Sequence, residues 1–139
     1  MRGASSILSP LVLASAILFA SRAEGETNKL NLGEVSAAPK ADQSAVPLLR
    51  TTTEAELQSL DLRGAKKDAI LSISLVRLET DGERVTCVVS ATLRTRSGGT
   101  IFAILEGRAL AVGVSGSAKS ASLKGAVHGA LGRIPEALK

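Results

Sequence analysis

Side chains able to carry chemistry are few in this chain. Among its 139 residues there is one cysteine, Cys87, and one histidine, His128. A thiol with no histidine beside it lacks the neighbour that would lower its pKa. One His and one Cys cannot supply the three or four ligands of a zinc site either, so no metal or other cofactor is expected. Cys87 occupies an apolar position of an alternating stretch, where cysteine behaves as a small hydrophobe. It is therefore expected to be buried and inert, rather than a reactive thiol or an intermolecular bridge, and a single cysteine allows no internal disulfide. Gly113-Val114-Ser115 begins like a G-x-S-x-G nucleophile elbow, but Gly116-Ser117 breaks the pattern, and no serine stands three residues before a lysine. Glu79, Asp81 and Glu83 cluster at one turn but lack the spread of oxygen ligands that calcium needs, so they read as solvated charge. No catalytic residues, and no enzyme, are expected.

The elements around these residues are clearer than their chemistry. Residues 70–114 read as three strands, ILSISLVRLE, RVTCVVSATLRTR and TIFAILEGRALAVGV, joined by the glycine turns TDGE and SGG. In the second strand Val85, Cys87, Val89, Ala91 and Leu93 share one face, with Thr86, Ser90, Thr92 and Arg94 on the other. Ile101, Ala103, Leu105, Ala109 and Ala111 share a side of the third, opposite Glu106 and Arg108. Turns this short pair the strands as an antiparallel meander. Leu123, Val127, Ala130, Leu131 and Ile134 recur at helical spacing, so residues 118–133 are expected as an amphipathic helix over the sheet, capped by Ser117 or Ser120. Gly125, Gly129 and Gly132 weaken that helix and are expected to let its backbone approach the sheet. Before the strands, Thr53 and Glu56 have the spacing of a capping box, giving a short helix over residues 54–59. The expected fold is α+β: a helix, a three-stranded antiparallel meander, and a C-terminal helix on one sheet face. Arg77, Thr86, Arg94, Glu106 and Arg108 fall on the uncovered face, with cross-strand ion pairs among them, and form the candidate interaction surface.

Composition narrows the function classes. Arg2 and Arg22 belong to an N-terminal leader, which leaves 15 basic against 13 acidic residues beyond it. So weak an excess argues against nucleic-acid binding, which needs a clustered basic face. Phe102 is the one aromatic residue past the leader, since Phe19 lies within it and Trp and Tyr are absent. The shortage argues against aromatic platforms for sugars, bases or quaternary cations.

Residues 1–23 have the three parts of a signal peptide: Arg2, an apolar run from Ile7 to Ala20, and Ser21 and Ala23 before the cleavage point. Ser9, Pro10 and Ser15 interrupt the run, which disfavours the alternative of a retained membrane anchor. No stable membrane insertion is expected after cleavage. Residues 24–47 hold few bulky apolar side chains and read as a disordered linker, the alternative being an added edge strand through Leu30, Leu32 and Val35. Residues 48–139 form the single α+β domain.

The stretch SLVRLETDGERVTCVVSATLRTRSGGTIFAILEGRALA, with the closing GALGRIPEAL, resembles an uncharacterised exported domain of social, predatory soil bacteria, found alone or beside helical repeats. More remotely, the helix-plus-meander order is similar to periplasmic lipoproteins such as the curli-secretion lipoprotein and the penicillin-binding-protein activators. This chain departs from those in having no lipid-bearing cysteine near the leader. The resemblance implies an exported α+β protein, periplasmic or secreted, and carries no catalytic residue over. The resulting expectation is a non-catalytic binding or structural module of the cell envelope that presents a sheet face or edge strand to a protein partner. A small-ligand carrier or minor enzyme is the alternative.

Overall fold

A computed structural model describes residues 29–139. The expected signal peptide and the first residues of the expected linker lie outside that range. The described chain contains β1 (Leu30–Ala37), a 3-10 turn (Gln43–Ala45), α1 (Val46–Ser59), β2 (Ala69–Asp81), β3 (Arg84–Thr95), β4 (Ile101–Val112), α2 (Ser115–Leu131) and α3 (Ile134–Ala137). The strands form one sheet in the order β1-β2-β3-β4.

The meander forms as its pattern dictates. β2 pairs antiparallel with β3, and β3 with β4. Gly82 and Gly99 adopt φ of 65° and 69° in the two connections, the left-handed backbone that tight turns require and that glycine reaches without strain. The inner face of β3 is as its alternation predicts, with Val85, Cys87, Val89, Ala91 and Leu93 all buried. In β2 the alternation Leu71, Ile73, Leu75 breaks at Val76 because the register slips there: Leu75 faces Val89 while Arg77 faces Val88. Val76 is the extra residue of a β-bulge and projects into solvent.

Two expectations about the front of the domain are corrected. The sheet has four strands and is mixed, not a three-stranded antiparallel meander, because Leu30–Ala37 pairs parallel with β2. Part of the segment expected as a linker is thus an edge strand, anchored by buried Leu30 and Val35. A register shift between Leu32 and Val35 breaks the period-2 signal and hides the strand from a reading of periodicity. A parallel pair needs a crossover, and α1 provides it. That helix begins at Val46, with Pro47 in its first turn where a missing amide costs nothing, rather than at Glu54. Thr53 is not a cap. It lies inside the helix, fully buried, and its Oγ1 has no hydrogen-bond partner.

On the inner face, α2 covers β3 and β4 through Leu123, Ala126, Val127, Ala130 and Leu131, all fully buried. It starts at Ser115, and its N-cap Val114 makes no side-chain hydrogen bond, so neither Ser117 nor Ser120 caps it. The residue that permits this packing is Gly107 on β4. A Cβ there would lie 1.8 Å from the Ala126 carbonyl oxygen and 2.7 Å from the Ala130 amide nitrogen. Helix backbone therefore rests directly on strand backbone. Gly125 is also tight, its absent Cβ falling 2.8 Å from the Ala109 methyl, whereas one on Gly129 would meet Gly107 Cα at an ordinary 3.8 Å. Pro135 ends α2 and begins α3, whose buried Ile134 and following Leu138 close the core.

Candidate interaction surface

With α1 and α2 on one side, the opposite sheet face is uncovered. The register fixes what it presents. One row runs Arg77, Val88, Arg108, and the next runs Glu79, Thr86, Leu110. On the other side of the arginine row lies Ser74, Ser90, Glu106, followed by Ser72, Thr92, Ile104. The five residues expected on this surface do share it. Arg77 reaches Glu79 on its own strand at 3.8 Å, and Arg94 donates from Nη2 to Ser72 Oγ at 3.1 Å. The expected cross-strand ion pairs do not form. Among the described residues no such pair joins Glu106 or Arg108 to Arg77, Arg94 or Arg96. The reason is register: Arg77 and Arg108 stand in one row on either side of Val88, while Glu106 faces Ser90 one row away.

The surface is also more apolar than expected. β4 ends the sheet order, and its outward side chains include Ile104, Leu110 and Val112, exposed by 66%, 57% and 67%. Val114 continues the patch beyond the strand. These residues carry a signal that alternation alone overlooks: apart from Glu106 and Arg108, TIFAILEGRALAV has apolar residues on both faces. A strand of that kind is usually buried on both sides, and at an exposed edge it offers a template for association. Backbone geometry marks the open side. The Gly113 amide donates to the Glu83 carbonyl on the β3 side at 2.9 Å. By alternation the backbone groups of Ile104, Glu106, Arg108, Leu110 and Val112 then face the free edge. One of these acceptors, the Glu106 carbonyl, receives a hydrogen bond from the Arg133 guanidinium.

The remaining chemical groups among the described residues lie in separate places. Cys87 is fully buried, and burial pushes its thiol up to about 11. His128 lies on the solvent side of α2, its Nδ1 2.7 Å from Glu56 Oε2 of α1, in an open cleft shared with Thr52 and Lys124. A second open cleft lies beside Phe102, with Lys67 Nζ 5.2 Å from the ring centroid. Among the described residues, no group of three or more His, Cys, Asp or Glu could hold a metal ion, and no helix is long and apolar enough to cross a membrane.

No family model matches the chain, and no curated protein matches it in sequence. Solved structures do. A DUF330 protein of Xanthomonas campestris matches with a TM-score of 0.51 and 18% identity, over 73% of this chain and 77% of that one. A proposed lipoprotein of Caulobacter crescentus matches with a TM-score of 0.47 and 17% identity, over 83% and 90%. A point variant of PelC of Paraburkholderia phytofirmans, a dodecamer, matches with a TM-score of 0.47 and 16% identity, over 76% and 87%. The first of these establishes a shared α+β fold. That shared fold agrees with the remoter resemblance noted above only in being α+β. None of them bears on the resemblance to a domain of social, predatory soil bacteria.

Proposed function

We propose that this protein is an exported, non-catalytic binding or structural module of the cell envelope, which presents its outer sheet face and β4 edge to a protein partner. The observation that carries the proposal is the exposure of Ile104, Leu110 and Val112 on an edge strand in a fold that buries most of its other large apolar side chains. Leu110, Val112 and Val114 form an apolar patch at one end of β4, with Arg108 and Glu106 separating it from Ile104, and exposed apolar surface bordered by charge is characteristic of protein interaction sites. Export is supported by the tripartite pattern of residues 1–23, and absence of catalysis by the scattering of the few reactive groups. The rival, a small-ligand carrier or minor enzyme, draws on the Glu56–His128 pair beside Lys124. That cleft is open, and His128 is 76% exposed, so the pair lacks the enclosure that small-molecule sites use to exclude water.

The test is site-specific photocrosslinking in cells that make the protein natively. A crosslinker at position 77 or 86 should capture one discrete envelope protein, and one at Lys124 should not. Equal capture from both faces, or none from the sheet face, would refute the proposal. Mass spectrometry of the exported form should show an N-terminus at Glu24.

A further inference from the structure

We infer that the β4 edge is a self-pairing interface, and that its occupant is a second copy of this chain joined strand to strand about a twofold axis at Gly107. The inference rests on the reading of the protein as a binding module and names the partner at one of its two surfaces.

The sequence of β4 is complementary to its own reverse. When two β4 strands run antiparallel with Gly107 opposite Gly107, Glu106 faces Arg108 of the second copy, and Arg108 faces its Glu106. Ile104 faces Leu110, and Leu110 faces Ile104. All four side chains belong to the outer face, and all four residues are exposed. Opposite charges and large apolar groups placed directly across an antiparallel pair are the stabilising arrangement, and the symmetry repeats each contact. The backbone agrees with this register. The residues of these pairs are those whose N–H and C=O groups face the free edge, so each pair can exchange two hydrogen bonds. The Glu106 carbonyl, already approached by Arg133, has a second lone pair for the incoming amide. Neighbouring registers lose the match. A shift of the axis to Arg108 puts two arginines face to face, and a shift to Glu106 does the same with two glutamates.

A second feature of the fold suits the same axis. Because α2 lies directly over Gly107, a continuous sheet brings the two α2 helices close above the join. Gly125 and Gly129 lie against Ala109 and Gly107 of β4 and are nonetheless exposed. They give α2 a flank without side chains above the free edge. Small residues at such positions let helix backbones approach closely.

Sedimentation velocity of the full-length chain tests this through the charge pair. The wild type should be a dimer. Arg108→Glu places glutamates opposite one another in both symmetry-related pairs and should weaken the dimer by roughly tenfold or more in Kd. The double variant Glu106→Arg with Arg108→Glu restores opposite charges only if residue 106 meets 108 of the other copy, and should recover dimerisation. Gly129→Leu should give a folded monomer. Circular dichroism confirms folding of every variant. A monomeric wild type, an Arg108→Glu variant that dimerises as well as the wild type, or a double variant that fails to recover would each overturn the inference. A monomer whose outer face still crosslinks to an envelope protein at position 77 or 86 would sink the self-pairing and leave the binding-module proposal standing.

Discussion

Gly107→Ala is the substitution whose cost can be worked most directly from the structure. A β-carbon at Gly107 would sit 1.8 Å from the Ala126 carbonyl oxygen, against the 3.4 Å at which ordinary contact begins. Neither neighbour can rotate away, because both nearest atoms are backbone of a hydrogen-bonded helix. The middle of α2 must therefore lift by about 1.5 Å. A gap of 0.5–1 Å already forfeits roughly a quarter to a half of each dispersion contact. The lift would loosen Leu123, Ala126, Val127, Ala130 and Leu131 together. Overpacking by a methylene commonly costs about 1–3 kcal/mol, and an immovable backbone places this site at the upper end, at about 3 kcal/mol or somewhat more. Against a typical stability of about 5–15 kcal/mol, that is a large fraction. Urea denaturation followed by circular dichroism measures it. Gly129→Ala is the control, since its methyl meets Gly107 Cα at an ordinary 3.8 Å and helix propensity should improve by up to about 1 kcal/mol. If Gly107→Ala unfolds within 1 kcal/mol of the wild type while Gly129→Ala destabilises, the account of how α2 seats on β4 is wrong.

Three other substitutions separate further parts of the structure. Thr53→Val replaces a buried hydroxyl that has no partner with a methyl of the same shape, and should raise stability by ~1 kcal/mol or more, read as a melting temperature a few degrees higher. Cys87 holds its proton to about pH 11 when folded, whereas an unfolded thiol loses it nearer 8.5. The folded state binds the extra proton in that window, so stability should fall as pH rises from about 8.5 to 11, and Cys87→Ala should remove that part of the slope. At neutral pH Cys87 should resist thiol reagents until the protein unfolds. Glu56→Ala removes the partner of His128 between α1 and α2, and should cost less than about 1 kcal/mol in thermal denaturation, as befits a pair whose histidine is open to solvent.

The parts of this fold legible in the sequence are those whose signals are local. β3 alternates without interruption, and glycines stand at both hairpin turns, so the meander and the buried Cys87 could be read residue by residue. β1 is legible only as the alternative to a linker, through Leu30, Leu32 and Val35, because a register shift between Leu32 and Val35 cuts its alternation short and its partner lies beyond a helix. The start of α1 was hidden by a Thr-Thr-Thr-Glu run that imitates a cap, while Pro47 marked the true beginning. On the uncovered sheet face, parity alone brings Arg77, Thr86, Arg94, Glu106 and Arg108 to the same side. Their pairing depends on register, which parity does not specify, and so the expected ion pairs were absent. Ile104 and Leu110 escaped notice because an apolar side chain draws attention as core until the strand bearing it proves to be an edge. The need for glycine at 107 arises from a contact with residues some twenty positions later, which no local pattern encodes.

The parallel β1–β2 pair also sets an order of events for a chain that emerges N-terminus first. Leu30 leads, yet its register partner is Ala69, and the whole of α1 lies between them. The β2–β3 hairpin closes across Asp81 to Arg84, a far smaller loop, and loop closure favours the nearer contact. The first strand to appear is consequently the last to join the sheet. Until it docks, the outer side of β2 is a second vacant edge, lined by backbone that the finished protein conceals. A folding helper, or a misplaced copy of the chain, would meet the newborn molecule there, on the side of the sheet opposite β4.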